Sequence, residues 1–338
     1  MPFVNKPLLL LLSLSAINSA YANLEEILVT SQKREQTLQS VPFSVSAIDA
    51  QTLDAQNLRN LNQLHAFVPG LYISSTETSH PTYSIRGLSS GVPSAQASAR
   101  IAIYLNDADI SRNRSSHIEL HDMARIEVIK GPQSTLFGTA ASAGAIAYYT
   151  QPPSEEAYSS ISFSTGNLNL FEVRAVANGG NDTLQARLAI LSRDRDGYID
   201  NSLRKGQELG GIDRASVRPS FRWHINDDWR ADLVLSHENS GDTINPNKSS
   251  LVPPAGGDTS AFSAAAISGS PITSALFPRN ALTIDRTTND INLQFTGELG
   301  DWSVSTLSAY REFDSITPFD GDGSQAHAFE LLEQASGQ

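Results

Sequence analysis

The 338 residues contain no cysteine, so disulfide scaffolds, thiolate metal sites and cysteine nucleophiles are excluded by count. That absence leaves the compartment open, because a cysteine-free chain suits the periplasm and outer membrane as well as the cytosol. Positive charge is scarce: 24 Lys and Arg stand against 36 Asp and Glu, a formal net charge of −12. A phosphate-backbone partner needs clustered cations to displace counterions, which excludes nucleic acid as a partner. Long apolar runs are missing as well. The amino-terminal run, residues 8–17, is broken by serines and falls short of the ~20 residues that a spanning helix needs. No later segment does better, so a membrane location requires a β-barrel. Catalytic signatures are also absent: there is no Gly-x-Ser-x-Gly elbow, no Gly-rich phosphate loop ending in Lys-Ser or Lys-Thr, and no His-Glu-x-x-His helix. The chain reads as non-enzymatic.

What is present has a clear order. Lys6, the apolar run 8–17 and the small residues of Ala20-Tyr21-Ala22 have the layout of a secretory signal peptide, residues 1–22, with Asn23 as the mature start.

Residues 101–153 are the most informative. Two alternating strand patterns, one stopped by Gly131-Pro132 and one by Pro152-Pro153, enclose a loop of Ser, Thr, Gly and Ala. Proline donates no ladder hydrogen bond and glycine tolerates a positive φ, so Gly131-Pro132 ends the strand that holds Ile126, Glu127 and Val128. Gly138 and Gly144 allow tight turns before a second strand over 145–150. This sequence of a Glu-Val strand, a Gly-Pro turn and a Gly-Ala-Ile strand resembles the plug domain of TonB-dependent outer-membrane receptors.

The resemblance continues upstream, from about Glu25 onward. Val41, Phe43, Val45 and Ala47 alternate as a strand, and Asp49 is placed to cap a helix. Leu53, Leu58, Leu61 and Leu64 follow at near-helical spacing and are expected in the core. Short strands are expected at 71–73 and 83–87, the latter containing Arg86-Gly87, and a plug loop at 89–98. Between signal and plug lies the short alternation Glu26, Ile27, Leu28, Val29 and Thr30, followed by a polar run. With no neighbouring strand in sequence, it is free to add to the edge of another protein's sheet. By resemblance it is the TonB box, through which the family contacts the periplasmic domain of TonB. Its closeness to the cleavage site leaves no room for the extra amino-terminal signalling domain of some family members.

Beyond Pro153 the pattern changes. Alternating apolar and charged residues recur at 161–163, 171–177, 184–190, 217–223, 229–235, 291–295 and 302–310. Short polar turns at 178–182 and 226–228 separate some of them, and a long polar connection spans 240–283. A soluble sandwich would share this period. Aromatic residues at strand ends, Phe171, Trp223, Trp229, Trp302 and Tyr310, favour a membrane barrel.

Several polar clusters have site-like composition. His117, Glu119, His121 and Asp122 would face a divalent ion only if the segment were helical and a third ligand were supplied, so the expectation is a polar segment leading into the strand at Ile126. The loops at 194–197 and 320–323 have calcium-loop spacing without the closing Glu, and turn chemistry accounts for them. No metal or cofactor is expected. Arg86 and Glu127 are charges flanked by apolar strand residues. They are expected either to pair with each other or with a barrel wall and so hold the plug releasably, or to stand solvated on exposed strands.

The expected fold is therefore an α+β plug followed by antiparallel transmembrane β-barrel strands. Its parts are a signal peptide (1–22), a TonB-box segment (23–36), a plug (37–152) and the amino-terminal part of a barrel (153–338). The plug motif comprises Arg86, Gly87, Glu127, Gly131, Pro132, Gly138 and Gly144. Roughly seven or eight strands fit after Pro152, whereas plugged outer-membrane barrels have about 22, so the chain reads as a fragment of a receptor. The resemblance implies location in the outer membrane of a Gram-negative bacterium, contact with outer-membrane lipid and TonB-coupled uptake of a scarce small ligand, such as a ferric siderophore. The alternative is a secreted or surface β-rich adhesion protein without transport.

Overall fold

A computed structural model describes residues 28–30, 36–74, 81–90, 99–112, 115–138, 140–200, 208–244, 283–320 and 330–337. The expected signal peptide, Glu26, Ile27, most of the loop at 89–98 and residues 321–323 lie outside the described residues.

The chain enters through two short antiparallel strands, β1 (Leu28–Val29) and β2 (Gln36–Thr37). β3 (Ser44–Asp49) starts later than the alternation from Val41 implied. Pro42 donates no ladder hydrogen bond, and a 3-10 turn, Leu38–Ser40, occupies the approach. The Asp49 carboxylate accepts the Thr52 N–H at 2.7 Å and caps the helix Ala50–Ala55 as expected. That helix is short. The chain turns left-handed at Asn57, so Leu58, Leu61 and Leu64 reach the interior from a loop and a 3-10 helix, Leu61–Ala66, not from one continuous helix. All four leucines are buried, as expected.

β4 (Leu71–Ser74), β5 (Thr82–Ile85) and β6 (Leu88–Ser89) form a small three-stranded sheet. β7 (Ile101–Leu105), β8 (Ala108–Asp109), β9 (Met123–Lys130) and β10 (Gly144–Thr150) join β3 in a mixed sheet of order β3-β9-β10-β7-β8. β10 is central, antiparallel to β9 and parallel to β7. Both of its faces are covered, which is why it and β7 read as continuous apolar runs. One face packs Ile103, Ile126 and Ile146 with the leucines, and the other packs Tyr104, Ile129 and Phe137 of the one-turn helix Ser134–Phe137. Each such side chain contributes roughly 1.5–3 kcal/mol by leaving water, so this doubly covered sheet is the stable centre of the plug.

After β10 comes a second structure, one large antiparallel sheet. Its strands are β11 (Tyr158–Thr165), β12 (Phe171–Gly180), β13 (Leu184–Arg195), β16 (Ile212–His224), β17 (Trp229–Thr243), β18 (Thr283–Leu299), β19 (Trp302–Asp320) and β20 (Glu330–Gly337), paired in chain order. A small hairpin, β14 (Ile199–Asp200) with β15 (Glu208–Leu209), sits between β13 and β16. The expected strands are all present, and β20 is one the alternation did not reveal.

The polarity of this sheet is inverted relative to a soluble protein. On β13, Leu184, Leu188 and Ile190 are exposed while Gln185 and Arg193 are buried. On β16, Val217, Phe221 and Trp223 are exposed while Ser216, Arg218 and Ser220 are buried. A soluble sandwich hides its apolar face. Here the polar face is covered by the plug and the apolar face is bare, the arrangement of a barrel wall in lipid.

Candidate functional site

Two sets of contacts tie the plug to its surroundings, one against the wall and one against the amino-terminal strand.

The first is the segment between β8 and β9. Its described residues form neither helix nor strand, and side chains and carbonyls from 117 to 122 are taken up by the wall. Asp122 accepts two bonds from Arg187 of β13, at 2.8 Å from Nε and 2.5 Å from Nη2. Glu119 accepts from Arg214 of β16 and lies 3.6 Å from Arg193 of β13. Arg214 also holds Asp242 of β17 at 2.5 Å, and Arg193 also binds Glu172 of β12. Backbone is held too. Arg218 donates to the His121 carbonyl at 2.9 Å, Arg311 to the His117 carbonyl at 2.8 Å, and Asn292 to the Asn106 carbonyl at 3.0 Å. Buried charges are tolerated only when paired and hydrogen-bonded, and here both Glu119 and Asp122 meet an arginine from the wall.

The His117, Glu119, His121 and Asp122 cluster is therefore a segment that anchors the plug to the wall. Its two carboxylates are engaged by arginines, and no group of three or more metal-ligating side chains occurs among the described residues. His117 and Glu119 stand 3.9 Å apart, but they form no ion pair. Burial first, then the Arg286, Arg214 and Arg311 charges, hold the His117 imidazole well below its ordinary 6.5 and keep it neutral. Burial and the Arg218 charge do the same to His121. These depressed values have a sign. Below pH 6.5 the unfolded chain takes up protons that the native histidines refuse, so stability present above that pH is lost as pH falls. Each imidazole is expected to remove about 1.4 kcal/mol per pH unit below 6.5. Denaturant unfolding in detergent at pH 7.5 and 5.5 should show the loss, and a His117→Gln/His121→Gln variant should flatten it. An equal loss in that variant would exclude the histidines as its source.

The second set involves Glu127, whose side chain is fully buried in the middle of β9. Arg125, two residues away on the same face, donates from Nε to Glu127 Oε1 at 2.7 Å. The Thr30 N–H, just past β1, donates to the same oxygen at 2.9 Å. Arg125 Nη2 donates to Thr30 Oγ1 at 3.0 Å, and its guanidinium lies 4.0 Å from the centre of the Tyr149 ring. Val29 is fully buried beside them.

The expected pairing of Arg86 with Glu127, or of either with the wall, is therefore corrected: Glu127 is satisfied within the plug by Arg125 and Thr30. Arg86 is exposed at a left-handed position, φ 51, in the β5–β6 turn. Its N–H donates to the Gly70 carbonyl at 2.8 Å. The polypeptide reverses there through Arg86-Gly87, and Arg86 Nη1 lies 3.7 Å from the position a Cβ would take at Gly131. β9 stops at Gly131-Pro132, Gly138 closes the one-turn helix, and Gly144 begins β10.

Sequence reasoning missed Arg125 and the wall arginines. A signal was available for the latter: Arg187 and Arg193 share one parity of β13, and Arg214 and Arg218 one parity of β16, opposite the apolar residues of each strand. Charges repeated on one face of a strand with an apolar other face mark a lumen that must be neutralised.

Comparison with known proteins fits this geometry. Residues 37–145 match the family model of the TonB-dependent Receptor Plug Domain. The chain is 27% identical to the Ferrioxamine B receptor of Salmonella typhimurium (strain SL1344) over 233 residues, 65% of this chain and 31% of that protein. It is 30% identical to the vitamin B12 transporter of Vibrio vulnificus (strain CMCP6) over 166 residues, 46% of this chain and 26% of that protein. In three dimensions it resembles the ferric yersiniabactin uptake receptor of Yersinia pestis, with a TM-score of 0.65 at 21% identity, over 82% of this chain and 42% of that one. The chain thus spans about a third or less of the curated relatives named here. These relatives are receptors and transporters, not enzymes, in agreement with the non-enzymatic reading of the sequence. A mixed-sheet plug seated on the polar face of an inverted antiparallel sheet, with these matches, identifies residues 37–145 as a TonB-dependent receptor plug domain, followed by a sheet that matches part of the barrel wall of such receptors.

Proposed function

We propose that this chain acts in the energy-coupled uptake of a scarce small ligand across the outer membrane of a Gram-negative bacterium, with a ferric siderophore as the ligand class. The observation that carries the reading is the inverted sheet with the plug on its polar face, since a wall of that polarity is stable only where lipid covers its apolar side. The adhesion alternative needs the opposite polarity. The siderophore reading is supported by the ferrioxamine B receptor among the relatives; the vitamin B12 transporter supports cobalamin as the competing ligand. Uptake in this reading involves binding and movement, with no bond chemistry. Residues 1–22 serve as the export signal, and residues 26–30 as the strand that TonB engages from the periplasm.

One experiment addresses these points together. The full chain is expressed in Gram-negative cells, and outer and inner membranes are separated. The protein should appear in the outer membrane, require detergent for extraction and begin at Asn23. The purified protein should show tryptophan quenching that saturates with ferrioxamine B and not with cyanocobalamin. Extraction without detergent would remove the membrane reading, and saturation by cyanocobalamin alone would replace the ligand.

A further inference from the structure

The chain passes from plug to wall through residues 151–157. Pro152 and Pro153 stand in the middle of this stretch; they fix φ and have no N–H to donate, so the stretch is stiff there and must be held at its ends. Asparagine side chains hold both. On the plug side, Asn106 of the β7–β8 turn accepts the Thr150 N–H at 3.0 Å and donates from Nδ2 to Thr150 Oγ1 at 3.0 Å. The next N–H, that of Gln151, donates to the Asp122 carbonyl at 3.0 Å. On the wall side, Asn178 of β12 accepts the Ser154 N–H at 3.1 Å. Its Nδ2 donates to Ser154 Oγ at 2.8 Å and to the Glu156 carbonyl at 2.7 Å, with the Ser154 carbonyl at 3.3 Å. A carboxamide presents a donor and an acceptor side by side, as a peptide group does. Asn178 therefore continues the pairing of the sheet back beyond Tyr158, where the main-chain ladder of β11 and β12 ends.

That place is critical because β11 is lightly held. Among the described residues it pairs with β12 alone, and all but one of its residues are exposed. A strand with one neighbour and little burial separates from its end, pair by pair, and the Tyr158–Asn178 pair is the first that a disturbance arriving from the plug would reach. We infer that Asn178 is a stop at this point: it binds the junction to the wall, so that opening of the plug sheet ends at Pro152-Pro153 and does not run on into β11. Asn178 acts here as a positioning residue, and residues 154–157 belong mechanically to the wall. The inference needs neither the ligand nor the TonB reading, since it concerns which parts of the chain open together. For a wall that must hold its shape while its plug rearranges, the stop keeps the two events apart.

Hydrogen exchange of the full chain in detergent tests it. The Ser154 amide should be protected in the wild type. Asn178→Ala removes all of the side-chain bonds at the stop, so the Ser154 amide and the Tyr158 end of β11 should exchange at least about tenfold faster, while β9, β10 and β16 are unchanged. Asn178→Asp divides the amide into its halves. It still accepts the Ser154 N–H but turns a carboxylate toward the Ser154 and Glu156 oxygens, so β11 should loosen as it does with alanine. The link to the plug is read with Gly144→Ala, whose methyl would lie 2.3 Å from the Ile129 carbonyl oxygen and so forces β10 from β9. With Asn178 intact, β9 and β10 should lose protection and β11 should keep it; in Gly144→Ala/Asn178→Ala, β11 should open with them. An unprotected Ser154 amide in the wild type, unchanged β11 exchange in Asn178→Ala, or loosening of β11 in Gly144→Ala alone overturns the inference, and the first of these needs no variant.

Discussion

Gly144→Ala is expected to be the most damaging single methyl that can be added to the plug, costing about 2–6 kcal/mol. Gly144 begins β10 at φ +153, and a Cβ there would lie 2.3 Å from the Ile129 carbonyl oxygen and 3.0 Å from Ile85 Cδ1. The first obstacle is backbone of the neighbouring strand, so it cannot rotate away. Relief requires β10 to move from β9, and β10 is also held by β7 on its other side. Overpacking a close-packed site costs about 1–3 kcal/mol and a disfavoured backbone conformation about as much again. Gly87 is the internal comparison. It has φ +81 but nothing within 4 Å of the added methyl, so Gly87→Ala should cost only the conformational part, about 1–2 kcal/mol. Amide exchange across β9 and β10 in the full chain measures both, and equal protection of the two variants would show that the Ile129 contact carries no weight.

The next largest effect is expected at the wall. Asp122 is the only ion-pair partner of Arg187 among the described residues, and both side chains are nearly buried. Asp122→Ala leaves a guanidinium without its counter-charge and should cost about 3–5 kcal/mol. Glu119→Ala should cost less, since Arg214 keeps Asp242 and Arg193 keeps Glu172. The double variant Asp122→Ala/Arg187→Leu should regain most of the loss, because removing both charges leaves none stranded. Unfolding of the wild type, Asp122→Ala, Arg187→Leu and the double variant in detergent gives the cycle, and strictly additive losses would mean that the pair is not coupled.

Much of the plug was legible because its signals are local. The Asp49 cap, the core leucines and the Gly131-Pro132 stop each act through their own backbone or face, and each works as the sequence implied. The failures share a different cause. Glu127 announced a buried charge in need of a partner, but its partners are Thr30, far away in the chain, and Arg125, whose parity matters only once β9 is known to be covered on both faces. Asp122 and Glu119 lie in the polar segment expected of them, but spacing alone could not show that wall arginines take up their carboxylates. The wall's strands were readable from their period of two, whereas which face looked inward became clear only with the plug in place. β20 escaped because Glu330–Gly337, ELLEQASG, does not alternate cleanly, and its strand character comes from pairing with β19.

The wall grips the plug in three places through main-chain oxygens, those of Asn106, His117 and His121. Every amino acid presents that same atom, so at these points the wall recognises the course of the chain and is indifferent to its letters. Sequence drift at the three positions leaves the bonds intact, while a one-residue deletion between them shifts the course and breaks the match. At these three points wall and plug can therefore diverge in sequence independently, and it is the ion pairs of Asp122 and Glu119 with wall arginines that tie the fit to particular side chains.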